Sequence, residues 1–311
     1  MKSLKEYIYE VSLTEGLLDR VKNKEVNHKV FVEEFLEANY KTHSSYTIKE
    51  TKSGFVVDVK GDVEVKNKDI TSLTNEFFEF GEVSGGFWCP DCELLKSLKG
   101  APKKVGGWFD CSDCESLETL EGAPQEVGRR FYCADCKSLK TLEGAPEKCE
   151  SFYCGNCPLL ETLEGAPKEI KERFDCSYCI NLKSLEGAPE KCGVFYTTNC
   201  GSLINLKGGP KKCDIFYCYK CGSLTSLEGA PKEARYFDCS TNLSLIDVKD
   251  APKKCETFNC ERCISLKDLN GVETKNIHCS NCGMRFNNSY LASTTKAKYK
   301  IDLRGKKTGL S

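Results

Sequence analysis

Residues 109–124 read FDCSDCESLETLEGAP, and near copies of that stretch follow one another down the chain. Aligned on the opening aromatic residue, the copies begin at Phe87, Phe109, Phe131, Phe152, Phe174, Phe195, Phe216, Phe237 and Phe258, with a weaker tenth unit at Ile277. The step is 22 or 21 residues until the last, and the shared unit is V-x-x-(x)-F-x-C-x-x-C-x-x-L-x-x-L-x-G-A-P. A period of this length sustained over most of a chain predicts a stacked array, in which each unit buries its apolar side only against its neighbours.

Upstream, GDVEVKNKDITSLTNEFFEFGEV repeats the skeleton in degenerate form, with Val63 and Val65 in the Phe and Cys columns and Ile70 and Leu73 in the leucine columns. Before it, Val30, Phe31, Phe35 and Leu36 have helical spacing, and YTIKETKSGFVVDVKG predicts two strands about a Lys-Ser-Gly turn. Together they form the expected α+β cap at 16–60, ahead of a solenoid at 61–283. Residues 284–311 are expected to supply a closing strand and a basic tail, since an array needs polar ends to hide its exposed coil faces.

Composition narrows the function classes. Of 311 residues, 45 are basic and 46 acidic, a formal net charge of −1, so no global field draws the protein to nucleic acid or membrane. No apolar run approaches the ~18 residues a membrane helix needs. The 22 cysteines occur without a secretion signal, which points to reduced thiols in an intracellular setting. In-register side chains of stacked strands point the same way and fit the disulfide dihedral poorly.

Eight C-x-x-C pairs, several of them 18 residues apart, match a zinc-ribbon spacing, and a zinc-binding array acting on nucleic acid or as a structural metal protein is the alternative reading. Substitutions between units argue against it. Thr197 replaces a first cysteine and Asn242 a second, neither a usual zinc ligand, yet the repeat continues through Leu203, Leu206, Leu245 and Val248. Cysteine also fills the column held elsewhere by Val105, Val127 and Ile170, as Cys149, Cys192, Cys213 and Cys255, where it serves as a small buried apolar side chain. The three histidines, His28, His43 and His278, form no recurring Cys/His set. No metal and no cofactor is therefore expected.

With Asn242 in place, the unit matches L-x-x-L-x-L-x-x-(N/C)-x-(x)-L, and from about residue 61 to 283 the chain resembles the leucine-rich-repeat family in its cysteine-bearing variant. That resemblance implies a mainly β, right-handed leucine-rich-repeat-type solenoid of about ten coils with a small α+β N-terminal cap. A short strand at F-x-C would turn Phe and Cys inward and the residue between them outward. At the following turn, Cys92, Cys114, Cys136, Cys157, Cys179, Cys200, Cys221, Asn242 and Cys263 form a ladder of groups able to bond interior backbone that would otherwise be unpaired. G-A-P bends the chain and blocks helix, so the returning side should be extended or 3₁₀. An alternative phase sets the main strand at L-x-x-L-x-G.

If F-x-C is the strand, its middle residues line the concave face: Trp88, Asp110, Tyr132, Tyr153, Asp175, Tyr196, Tyr217, Asp238 and Asn259. A neighbouring column two residues after the first cysteine adds Asp91, Asp113, Asp135, Asn156, Tyr178, Asn199, Lys220 and Arg262. Aromatic anchors among polar groups are the usual makings of a protein-binding site, and the acidic bias toward the N-terminal half suits a basic partner patch better than nucleic acid. No converging nucleophile, acid/base set or phosphate loop marks the chain as an enzyme.

The opening MKSLKEYIYEVSLTE resembles the capsid-targeting sequences of internal head proteins of T-even-like phages, with Leu4, Tyr7, Ile8 and Val11 on one helical face. That resemblance implies cleavage after the Leu13-Thr14-Glu15 triplet, a leader at 1–15, and a bacteriophage protein of the host cytoplasm or virion interior. The LEGAPKEVGG type of repeat also looks like those encoded by bacteriophages.

Overall fold

The computed structural model describes residues 28–42, 45–75, 77–283 and 300–302. The leader with Glu15, residues 16–27 of the cap, His43 and most of the C-terminal segment lie outside them. Helix α1 (His28–Asn39) runs into β1 (Tyr40–Thr42), followed by β2 (Tyr46–Thr51), β3 (Gly54–Val59), β4 (Val63–Val65), β5 (Phe78–Val83) and β6 (Phe87–Trp88). The middle coils contribute β7 (Lys104–Val105), β8 (Phe109–Asp110), β9 (Glu126–Val127), β10 (Arg130–Tyr132), β11 (Ser151–Tyr153) and β12 (Arg173–Asp175). Longer strands complete the array: β13 (Lys191–Tyr196), β14 (Lys212–Tyr217), β15 (Glu233–Asp238), β16 (Lys254–Asn259), β17 (Thr274–His278) and β18 (Lys300–Asp302).

Each coil places its F-x-C strand beside the next, giving a main sheet in the order β1-β4-β6-β8-β10-β11-β12-β13-β14-β15-β16-β17-β18. From β4 to β18 the pairing is parallel and in register, Phe109 on Phe131 on Phe152 on Phe174, so the repeat is stacked without slip. Strands β4 to β17 mark eleven coils among the described residues, the first being the degenerate unit, whose Val63 pairs with Phe87. No helix occurs on the returning side of the described coils, which is built of turns, and the alternative phase is excluded because the strands sit at F-x-C.

The core follows from the period. Phe87 through Phe258 form one spine of nine buried rings, centroids 5.2–5.6 Å apart and planes within 13° of parallel. Around it lie the cysteine and leucine columns, buried in every coil from Leu95 to Cys282. Between the second leucine and Ala the chain reverses at a glycine with φ of 81–92° (Gly100 to Gly271). A Cβ at Gly122 would stand 2.6 Å from the Lys99 backbone, so glycine is demanded there by both sterics and conformation.

The cap closes the first coil. Strand β1 pairs antiparallel with β4, Tyr40 opposite Val65, and the buried Tyr40 hydroxyl donates to the Leu73 carbonyl. Tyr40 and Phe80 pack tilted and edge-on against the first spine ring, Phe87, and Phe35 and Phe78 pack in turn on Tyr40, Phe80 and each other. Hairpin β2–β3, turning at 52–53, extends into a second sheet, β2-β3-β5-β7-β9, that the sequence reading did not anticipate. Where Gly106-Gly107 or Gly128-Arg129 separates Val105 or Val127 from the Phe strand there are two short strands; the units opened by Phe152 and Phe174 carry only the three-residue β11 and β12, and from Phe195 onward the two stretches join into single strands of five or six residues such as β13.

Candidate partner-binding face

Inside the coil, the second cysteine of each pair spans two coils. Cys114 Sγ donates to Cys89 O at 3.2 Å, Cys136 to Cys111 O, Cys157 to Cys133 O, Cys179 to Cys154 O and Cys200 to Cys176 O, each at 3.3 Å. Cys221 donates to Thr197 O at 2.9 Å and Cys263 to Cys239 O at 3.2 Å, while Cys92 reaches its own turn at Pro90 O. Asn242 does the same job more completely: Nδ2 donates to Cys218 O and Cys239 O at 3.0 and 2.9 Å, and Oδ1 accepts Cys221 N–H at 2.7 Å. All 22 cysteines are buried and none is in a disulfide. Burial pushes most of the thiols up, Cys149 and Cys157 to about 12. Among the described residues no three His, Cys, Asp or Glu side chains converge where a metal could sit.

Outside, the middle residue of F-x-C is half-buried on the exposed face of the main sheet in nearly every coil. The column divides into two chemistries. Asp110, Asp175 and Asp238 each accept, on Oδ1, the N–H two residues ahead (Ser112, Ser177 and Ser240, 2.9–3.0 Å), and Asn259 does so for Glu261 at 3.1 Å. These are Asx turns that hold the strand end. Asp238 is moreover buried, and its Oδ2 receives Tyr236 and Asn259, so it is a poor contact group for a partner.

The aromatic members do something else. Tyr132 stacks on Tyr153 and Tyr196 on Tyr217, both with centroids 4.6 Å apart, and Trp88 meets Trp108 edge-on at 6.4 Å. Residues preceding Phe share this face. Arg173 lies over the Tyr196 ring, 4.4 Å from its centroid, and donates to its hydroxyl at 2.9 Å; Arg130 reaches the Tyr132 hydroxyl at 3.3 Å. Tyr236 and Tyr219 flank Tyr217 at 5.6 and 6.2 Å. Burial first, then the Asp238 carboxylate, pushes the Tyr236 hydroxyl up to about 12, and burial followed by Tyr196 and Asp238 raises Tyr217, so these groups remain protonated donors at neutral pH. With ring faces engaged against each other, the surface displays ring edges, hydroxyls and two guanidinium groups.

The neighbouring column has a backbone explanation. Asp91, Asp113, Asp135, Asn156, Tyr178, Asn199, Lys220, Thr241, Arg262 and Asn281 all take φ between 54° and 63°. Asp and Asn tolerate the left-handed region best, which accounts for their frequency there without any partner. Tyr178, Lys220, Thr241 and Arg262 depart from that rule, and Tyr178 is 56% exposed. Arg130, Arg173 and Tyr236 were missed by the sequence reading; the signal was the alternation itself, since the residues on either side of an inward Phe share one face.

No protein-family model and no curated protein sequence matches the chain. A leucine-rich repeat protein from Bacteroides ovatus ATCC 8483 resembles it at 14% identity and a TM-score of 0.37, over 83% of this chain and 97% of that one.

Proposed function

We propose that this β-solenoid is a protein-binding scaffold whose contact surface is the outer face of the main sheet, centred on Tyr132, Tyr153, Arg173, Tyr196, Tyr217 and Tyr236. The carrying observation is the stacked Tyr/Arg cluster: Tyr and Arg are the residues that dominate binding energy in protein interfaces, and here they are pre-ordered by stacking and hydrogen bonds. Trp88 and Trp108 extend the face toward the cap. Of the acidic residues first assigned to it, Asp110, Asp175 and Asp238 serve the strand ends, so the centre of the face favours carboxylate-bearing partner groups near Arg130 and Arg173 over basic ones. The role is binding, with no chemistry assigned to any side chain.

Affinity capture with the purified protein, followed by mass spectrometry of retained proteins, tests the reading. A triple Tyr153→Ala, Tyr196→Ala, Tyr217→Ala variant should keep its circular dichroism spectrum and lose the captured partner; retention by the variant would remove this face from consideration. The phage-head reading rests on the opening MKSLKEYIYEVSLTE, with cleavage after Leu13-Thr14-Glu15, and on the type of repeat, and the intact mass of the protein recovered from infected cells tests the cleavage.

A further inference from the structure

The cysteines that stand in the column of Val105, Val127 and Ile170 do not share the task of the C-x-x-C ladder. Cys149, Cys192 and Cys213 donate to no carbonyl among the described residues, whereas Cys255, in the same column, gives its Sγ hydrogen to Thr257 O at 3.1 Å. The C-x-x-C thiols from Cys89 to Cys263 are closed to solvent, but Cys149, Cys192 and Cys213 are 9%, 8% and 3% exposed. All three line one groove of about 740 Å³. It opens where the ladder of this column is interrupted: Glu126 bridges to Lys148 and Glu169 to Lys191, with no bridge between Lys148 and Glu169 among the described residues. Gly193 keeps the groove clear beside Cys192, since a Cβ there would stand 2.6 Å from the Glu172 carbonyl.

Two of these thiols form a pair. Cys192 and Cys213 are Cα partners on the adjacent parallel strands β13 and β14, so their side chains leave the sheet on one side, about 4.8 Å apart at the backbone. A hydrogen bond with Cys192, followed by burial, raises the Cys213 thiol, so the two sulfurs are in contact and Cys213 is protonated at neutral pH. Cys149 belongs to no such pair, because Ile170 takes the rung between it and Cys192 and sets them roughly 9.6 Å apart. On the other side Ala234 separates Cys213 from Cys255.

That geometry suits one kind of ligand. A disulfide requires sulfurs about 2.05 Å apart and a dihedral of about 90°, which side chains leaving in-register rungs in the same direction do not supply. Zinc takes four ligands, and the pair offers two. Two metal–thiolate bonds placed end to end, each about 2.3 Å on the zinc scale, span roughly 4.6 Å, close to one strand spacing. A soft cation held in line by two thiolates therefore fits, and copper(I) is the soft ion that thiolates select. Charge agrees: five lysines, Lys191 and Lys212 among them, line the groove against three acids, and a bis-thiolate copper(I) unit carries one negative charge that this surplus offsets. We propose that Cys192 and Cys213 form a two-coordinate copper(I) site at the floor of the groove, outside the C-x-x-C pairs. Binding replaces two S–H bonds by two Cu–S bonds and releases two protons to solvent; copper enters and stays as copper(I), so no oxidant or reductant takes part.

Transfer of copper(I) from its coloured bicinchoninate complex to the full chain, at neutral pH without oxygen and with a thiol-free reductant, tests the site. Wild type should take one equivalent per chain and keep its circular dichroism spectrum, and X-ray absorption at the copper edge should show two sulfur neighbours. Cys192→Val and Cys213→Ala install residues that the column already holds at Val127 and Ala234, so each variant should fold, and each should lose that equivalent. Cys149→Val and Cys255→Val should keep it. No uptake by wild type, or uptake unchanged in Cys192→Val and Cys213→Ala, would overturn the proposal. So would uptake accompanied by loss of β structure, or three or more sulfur neighbours, either of which would assign the copper to the C-x-x-C thiols of the core.

Discussion

A left-handed backbone position recurs in every coil from the Phe87 coil on, and the residues occupying it can be ranked by what they cost. Asp and Asn take φ near 60° with little penalty, whereas other non-glycine residues give up as much as 1–2 kcal/mol. Thr241 (φ 60°) is β-branched and Tyr178 (φ 63°) aromatic, the least suited of the set. Thr241→Asn should raise stability by about 1 kcal/mol, read as an increase in the denaturation midpoint. Asn242 next to it argues the opposite way. Its amide satisfies two carbonyls and one N–H that a cysteine satisfies only in part. Asn242→Cys should cost roughly 1–2 kcal/mol, and Asn242→Leu about 3 kcal/mol or more, because three buried backbone groups then lose their partner. Equal midpoints for the two variants would show that the ladder's hydrogen bonds contribute nothing beyond packing.

At the scale of the element, the spine holds successive coils in register. Phe152 contacts the rings of both neighbours, so Phe152→Ala removes packing on two sides and should cost about 3–5 kcal/mol, visible in urea unfolding. The spine, the strand at F-x-C and the inward cysteines were legible in the sequence because each is fixed by period and by in/out alternation. Two features were not. The left-handed turn and the Asx turns gave Asp the appearance of an acidic recognition column, since a side chain chosen for backbone conformation reads as charge until φ is known. The second sheet was hidden because the repeat pattern does not show it: Gly106-Gly107 parts strands β7 and β8, Gly193-Val194 runs on within β13, and Glu150-Ser151, at the same spacing as Gly193-Val194, leaves β11 at three residues. A Cβ at Gly106 would come within 2.3 Å of the Ser84 carbonyl, so Gly106→Ala should destabilise that junction by more than an ordinary helix or loop substitution, as local loss of hydrogen-exchange protection at Val105 would report.

Across the whole molecule, the many buried thiols act together. Those buried beyond solvent contact, Cys89, Cys111, Cys133, Cys154, Cys176 and Cys218 among them, are held well above their ordinary value chiefly by desolvation. In the unfolded chain a thiol titrates near 8.5. Between that value and the folded one the native state binds more protons than the unfolded state, so stability falls as pH rises, and it is untouched below. Each such thiol withdraws up to about 1.4 kcal/mol per pH unit in this window. Six of them exceed the 5–15 kcal/mol that holds an ordinary domain together within about two units. The protein should therefore be insensitive to pH from 6 to about 8 and unfold cooperatively between about pH 9 and 11 under reducing conditions, well below the value near 12 at which Cys149 and Cys157 titrate in the fold. Circular dichroism melts across this range, with the thiolate absorbance recorded in parallel, check the sign. Thiolate appearing together with loss of β structure supports cysteines that serve as core, and thiolate appearing ahead of it would mean that the ladder opens to solvent while the solenoid stands.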